Sequence, residues 1–454
     1  MTIQLWNKTQ GDPDREFVHQ FTAGRDSRLD LRLAPFDVLG SIAHVMMLES
    51  VGLLDTQDAR ALRAALRVLY HRIAAGEFVI EQGVEDVHSQ IELELTRQLG
   101  DAGRRVHTGR SRNDQVLLDL KLYLREALRL LVLELHGFAG ELLALSDTYR
   151  DVALPGYTHL QAAMPSSFGL WFAAYAECLA EDVTRMHGAY VLADRNPLGS
   201  AAGYGSSFPL DREMTTRLLC FGGMHVNAVA AQMGRGRTER AVAEALAAPA
   251  STLARLAMDA VLFMSQNFGF ISFPGEWTTG SSIMPHKKNP DVLELVRARC
   301  NRLQALPNTV ALTVANLPSG YHRDMQELKE ILLPAVDELA ACLQALRRMF
   351  RVVQVRRDIL DDRRYAGLFS VEAVDTLVRK GVPFREAYHE VAQQFADGTL
   401  DESARRVHTH TGSAGNLRND LITRALDEAV TAYRFERLEG LAALIAPRRE
   451  GTKD

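Results

Sequence analysis

The chain has 454 residues, which at roughly 150 residues per domain predicts about three domains with ample core and excludes a small binding module. Lys and Arg number 52 against 57 Asp and Glu, a net charge of −5. That balance argues against a protein that grips nucleic-acid phosphates over its whole surface, so no nucleic-acid partner is expected. Cys178, Cys220, Cys300 and Cys342 lie far apart with no CxxC pair, and are expected as reduced thiols with no metal site. The opening segment MTIQLWNKTQGDPDREF lacks the apolar stretch of a secretory signal. No window of about 20 residues is free of charge, and together these predict a cytoplasmic protein without a membrane span. Hydrophobic residues make up 47% and aromatics 7%, leaving Leu and Ala to do most of the packing, a mixture that favours helices.

Residues 1–106 carry short helical patterns and are expected as an N-terminal helical domain. Beyond them Val116, Leu120, Tyr123, Ala127, Leu130 and Leu131 recur at helical spacing in a run from about Asp114 to Ser146. A second run covers about Ser166 to Leu192. A third starts at Thr238, the expected N-cap, and reaches about Gln266 with a kink at Pro249. A fourth is expected to begin with Asn289 as N-cap and Pro290 at the first helical position, and to run to about Val314. The fifth covers about Glu330 to Phe350, and no comparable stretch alternates with period two. The reading is all-α: a long five-helix central bundle over 107–355, flanked by smaller helical domains at 1–106 and 356–454. The last of these holds helices at about Ser370–Lys380 and Phe384–Phe395, separated by Gly381-Val382-Pro383.

Chemistry-bearing residues gather in the polar segments between these helices. FPGEWTTGSSIMPHKKNPD, residues 273–291, is rich in Gly, Ser, Thr and Pro, and taken alone such a loop is most often a solvated surface segment. It feeds directly into a helix N-terminus, however. There backbone amides, Lys287 and Asn289 could converge on one carboxylate while Ser281 and Ser282 supply hydroxyls. Four further clusters sit at helix ends: EDVHSQIE (85–92), HTGRSRNDQV (107–116), PGYTHLQ (155–161) and SGYHRDMQELK (319–329). Singly, His88, His107 and His159 are more often capped or core histidines than catalytic ones, and Arg110 and Arg112 more often surface charges.

In order and spacing the five segments resemble the signature regions of the aspartase/fumarase superfamily, with GSSIMPHKKNP (280–290) similar to its most specific motif. Within it, HTGRSRNDQV, EDVH-x-x-IE, YTHLQ, KKNPD and LVRKGVPFREAYH (377–389) resemble the argininosuccinate lyase family. The resemblance implies reversible elimination of an amine from a substituted succinate to leave fumarate, through an aci-carboxylate carbanion stabilised by cations and hydrogen-bond donors. It implies Ser281 as the base in a closing loop, Lys287 and Asn289 at the carboxylate, and His159 oriented by Glu294 as the proton relay. It places Asp86, His88, Ser111, Arg112, Asn113, Thr158, Gln161, Ser282, Tyr321, Arg323, Gln326 and Lys329 around the substrate. It further implies a homotetramer with a twenty-helix core and sites built from three subunits, a small-molecule substrate, and no cofactor. The chain departs from the commoner pattern at GRDSRLD (24–30), GSAAGYGSSF (199–208), AQMGRGRTE (231–239), His322 and Leu328. Those departures bear on which amine leaves, so a lyase for another N-substituted aspartate stands as an alternative, as does an inactive crystallin-like relative.

Overall fold

The computed structural model describes residues 17, 18, 21, 22, 24–400 and 408–446. The longer helices that precede the bundle among the described residues are α1 (Ala34–Ser50), α2 (Thr56–Ala74) and α3 (Val87–Leu99). The bundle begins with α4 (Arg112–Thr148), which starts ahead of the apolar run because Ser111 and Asp114 form a capping box. Ser111 Oγ accepts the Asn113 amide at 3.3 Å and Asp114 Oδ1 accepts the Ser111 amide at 2.9 Å. Next come α5 (Phe168–Ala193), capped by Ser167, and α6 (Arg237–Met264), which carries Pro249 inside it.

The start of α6 corrects one expectation. Its N-cap is Gly236, at a φ of 78°, and the carboxylate of Glu239 accepts the Gly236 amide at 2.8 Å. Thr238 lies inside the first turn, where its hydroxyl accepts the buried Lys121 ammonium at 3.2 Å.

The fourth long helix is interrupted: α7 (Asp291–Leu303) stops and α8 (Leu306–Thr313) restarts. Pro307 explains the break, since its ring crowds the Leu303 carbonyl and it has no amide hydrogen to donate. Asn289 is not the N-cap of α7. It pairs with Thr279 as an isolated antiparallel bridge, leaving Pro290 in the cap position. After a short 3₁₀ turn, α9 (Glu327–Phe350) completes the bundle.

A hairpin was not expected from the sequence. Strands β1 (Ala153–Thr158) and β2 (Gln161–Ser167) pair antiparallel with a bulge between Gly156 and Tyr157. Two prolines and a glycine erase the alternation that would announce them. The two turn residues, His159 and Leu160, are not the usual Asn or Gly, although their φ values of 55° and 58° match a type I′ turn.

The main core is shared by α4, α5, α6, α7 and α9, with Phe138, Phe172, Leu246, Leu253, Leu339 and Leu343 buried. Each such side chain contributes about 1.5–3 kcal/mol on burial. The segment Ala228–Met264 is long and apolar enough by composition to cross a membrane, yet within it α6 packs on α5, α7 and α9. A second core joins α1–α3 to Leu118 and Leu122 of α4. After the bundle, α10 (Ser370–Arg379) and α11 (Phe384–Ala396) enclose a small apolar cluster of their own, while α12 (Asn419–Thr431) lies against α4 and α5. All four cysteines are free thiols.

Candidate active site

The bundle end near α3 carries a cavity of about 280 Å³ lined by Asp26, Asp30, Glu85, Asp86, His88, Arg112, Asn113, Val116, Tyr321, Arg323, Gln326 and Lys329. Three segments far apart in sequence are brought together here, because the start of α3, the start of α4 and the turn before α9 all end at this face. Asp86 is the N-cap of α3, where its Oδ1 accepts the Ser89 amide at 2.8 Å, and its Oδ2 accepts Arg112 Nη1 at 2.8 Å. Arg112 Nη2 also donates to Ser89 Oγ at 2.5 Å, so its guanidinium is held flat against the helix start. Burial opposes the charge of Asp86, but His88, Arg112 and the Ser89 amide outweigh it and hold its pKa below the ordinary value.

Lys329 is the deepest cation of the cavity. It is 4% exposed, and its Nζ sits 2.7 Å from Asp30 Oδ1 and 2.8 Å from Asp26 Oδ1. Burial raises the pKa of Asp26 to about 6 against the opposing pull of Lys329. For Lys329 the two carboxylates win over burial, and its pKa rises. Gln326 and Arg323 donate to the Thr22 carbonyl at 2.8 and 3.1 Å, and the Arg25 amide donates to Glu330 at 3.2 Å. Residues 24–30 therefore form one wall of the cavity, with Asp26 and Asp30 in its lining. Ser111 is occupied at the α4 cap, just outside the lining.

The loop holding Ser281 lies elsewhere on the surface. Ser281 Oγ accepts the amides of Met284 at 3.2 Å and Ile283 at 3.4 Å. Asn289 Nδ2 donates to the Gly280 carbonyl at 3.4 Å, while Ser282, Lys287 and Glu294 are exposed. Thr158, His159 and Gln161 form a third group, exposed at the hairpin tip. Among the described residues, no hydrogen bond or ion pair joins these three groups. His159 and Glu294, which the resemblance pairs, are likewise unconnected within one chain.

The structure adds residues that the sequence reading left out. Asp26, Asp30 and Glu85 line the cavity, and behind His88 lie the buried Asp37 and Asp119. The signal for the last two was an acid set in an apolar run, APFDVLG and VLLDLKL. Among the described residues Asp37, His88 and Asp119 are the group close enough to suggest a metal site. His88 Nδ1 and Asp37 Oδ2 are in direct hydrogen-bond contact, however, which leaves a proton and no room for an ion between them.

The family model described as Lyase matches residues 11–305. The chain is 56% identical to the argininosuccinate lyase of Parabacteroides distasonis, covering 96% of this chain and 98% of that protein. The chain belongs to the argininosuccinate lyase family. It is 40% identical to the argininosuccinate lyase of Stenotrophomonas maltophilia over 92% of its length and 98% of that protein. As a member of that family it is an enzyme, a carbon–nitrogen lyase of the aspartase/fumarase superfamily. Solved structures share the fold: EDDS lyase in complex with formate superposes with a TM-score of 0.75 at 22% identity, covering 96% of this chain and 94% of that one. The class II fumarase of Schistosoma mansoni gives 0.68 at 17% identity, covering 85% and 94%.

Proposed function

We propose that this lyase splits argininosuccinate reversibly into L-arginine and fumarate, the last step of arginine biosynthesis, in the cytoplasm and without a metal or organic cofactor. The observation that carries the reading is 56% identity to an argininosuccinate lyase across 96% of the chain, joined to a cavity built of paired acids and cations. In this reading the amino-acid tail of the substrate enters the cavity, where Arg112, Asn113, Tyr321, Arg323, Gln326 and Lys329 meet it, with Asp86 and His88 forming the wall. Thr158, Gln161, Ser111 and Ser282 add hydroxyl and amide contacts around the succinate.

Ser281 is the proposed base. A serine hydroxyl is a poor base in water, but the Ile283 and Met284 amides already aim at its oxygen, and they are the donors that an alkoxide needs once closure excludes solvent. Lys287 and Asn289 hold the carboxylate whose charge grows as the proton leaves, and the N-terminus of α7 adds roughly 0.3–1 kcal/mol. His159, with Glu294, passes a proton to the departing guanidinium nitrogen.

The separation of the three groups in one chain supports assembly. Leu130 and Leu133 of α4, Val191 and Leu192 of α5, Leu295 of α7 and Leu312 of α8 are exposed along the bundle, and such a surface favours packing against further copies. A homotetramer with a twenty-helix core would bury them and bring hairpin, loop and cavity from three subunits into one site. The test is a panel of N-substituted aspartates with fumarate release followed by ultraviolet absorbance. Turnover of argininosuccinate above the others supports the proposal, whereas preference for a different aminodicarboxylate replaces it.

A further inference from the structure

Behind His88, which lines the cavity, stand two buried acids that the elimination does not itself use. Asp37 on α1 is 1% exposed and Asp119 on α4 is 0% exposed. One carboxylate oxygen of each and a ring nitrogen of His88 lie within 4.8 Å of one another. The two acids are in opposite states of satisfaction. Asp37 Oδ1 accepts the Ser41 hydroxyl at 3.1 Å, and its Oδ2 accepts Gln115 Nε2 at 2.8 Å together with His88 Nδ1. Among the described residues neither oxygen of Asp119 has a hydrogen-bond donor, although both are buried, and Oδ2 stands 3.4 Å from His88 Nδ1, whose hydrogen is directed to Asp37. An ionised carboxylate there would lack both solvent and a hydrogen bond and would face a second carboxylate already bonded to His88, which is costlier than taking up a proton.

Two of the surrounding carboxylates are already paired. Asp30, from the turn before α1, is held by Lys329 at 2.7 Å, and Asp86, at the start of α3, by Arg112 at 2.8 Å. Arg110, on the loop before α4, donates to Ser41 at 3.0 Å behind Asp37. His107, on the same loop, has its pKa lowered to about 4 by burial and by Arg110 and Arg112. Of the two acids beside His88, Asp37 is the one in direct hydrogen-bond contact with Nδ1, while Asp119 Oδ2 stands off at 3.4 Å, so Asp37 is the anion that holds it.

We propose that Asp119 is a neutral carboxylic acid hydrogen-bonded to Asp37, so that the pair carries one negative charge and holds His88 as an imidazolium facing the substrate. With Nδ1 turned to Asp37, Nε2 is the nitrogen left to meet a substrate carboxylate in the cavity. Asp37 and Asp119 are positioning residues, acting through His88. The electrostatics agree in direction. Burial and the Asp37 charge raise the pKa of Asp119 well above the ordinary value. Burial opposes the charge on His88, but Asp37, Asp86 and Asp30 overcome it and raise its pKa, and His88 in turn lowers that of Asp37 against burial.

The imidazolium's role at the substrate rests on the proposed function; the protonation of Asp119 does not, and the experiment separates them. The first readout is thermal stability of the intact protein and of Asp119→Asn across pH. A group with a raised folded pKa contributes stability at low pH that is lost as pH rises toward that pKa, and Asn has nothing to lose. Relative to wild type, Asp119→Asn is expected to gain stability steadily from about pH 5 to pH 8. A constant difference, a relative loss over that range, or a variant that does not fold at any pH overturns the proposal, because an amide matches the shape and donor of a neutral acid.

The second readout is the alkaline limb of kcat/KM for argininosuccinate. Asp37→Asn is expected to move it down by about one pH unit or more and to raise KM more than it lowers kcat. Asp119→Asn is expected to leave the limb at its wild-type position. Equal displacement in both variants overturns the proposal. Absence of wild-type turnover overturns the function and, with it, the role of His88, while the stability readout still decides the state of Asp119.

Discussion

Replacing Lys329 with Met keeps the length and apolar stem of the side chain and deletes only the ammonium. In the protein that ammonium lies 2.7 Å from Asp30, whose side chain is 1% exposed, and 2.8 Å from Asp26, whose side chain is 15% exposed. Removing one partner of a buried pair costs about 3–5 kcal/mol, because the other charge is left without solvent or counter-ion. The partial exposure of Asp26 places this case near the lower end. For a chain of this length, roughly 1–2 °C per kcal/mol converts that to a fall of about 3–6 °C in the unfolding midpoint. The sign with pH is fixed. Burial already raises the Asp26 pKa to about 6 against the pull of Lys329, and loss of the ammonium raises it further, so the deficit is largest near about pH 8 and shrinks as pH falls toward about 4. Scanning calorimetry of wild type and variant across that range is the assay. A midpoint at pH 8 equal to wild type, or a deficit that grows in acid, would refute the argument that Lys329 compensates two buried acids.

Three further outcomes follow from the same geometry. Asp26→Asn leaves Asp30 to hold Lys329; because the Asp26 pKa is raised to about 6, wild type sheds stability as pH rises to that value, and the variant gains on it between about pH 4 and 6 in the same scans. His159→Asn puts a residue suited to positive φ at the hairpin tip, so the midpoint should hold while turnover falls about 10²–10⁴-fold; comparable loss of both would move His159 from chemistry to structure. Gly169→Ala would set a Cβ 2.6 Å from the Arg150 backbone and 2.9 Å from the Ser146 carbonyl, forcing apart the hairpin's two ends at a cost of about 1–3 kcal/mol in a denaturation curve.

Long helices were legible in the sequence because their apolar residues repeat over many turns. The run at Asp114–Ser146 falls inside α4, and that at Ser166–Leu192 matches α5 except for its first two residues, which end β2 and cap the helix. Ends governed by backbone geometry were less legible. Gly236 displaced Thr238 as a cap through positive φ and the Glu239 carboxylate, and Pro307 broke a helix whose apolar pattern runs straight through it. The hairpin was hidden because its turn is formed by His159 and Leu160 in a conformation usually left to Asn and Gly.

Among site residues, polar clusters at helix ends pointed to the cavity, where Asp86, His88, Arg112, Asn113, Tyr321, Arg323, Gln326 and Lys329 meet. The acids opposite Lys329 were not legible, since Asp26 and Asp30 lie in GRDSRLD, the segment that departs from the commoner pattern. Asp37 and Asp119 were not legible either, because periodicity reports which face is buried and not which polar groups are buried with it.

Progress curves for argininosuccinate with wild type and Ser281→Ala, each paired with a thermal scan, test the mechanism most directly. Fumarate release by wild type, its near-complete loss in the variant, and matching midpoints are expected, since among the described residues Ser281 is bonded only to its own loop. Equal turnover by the two proteins would contradict the mechanism.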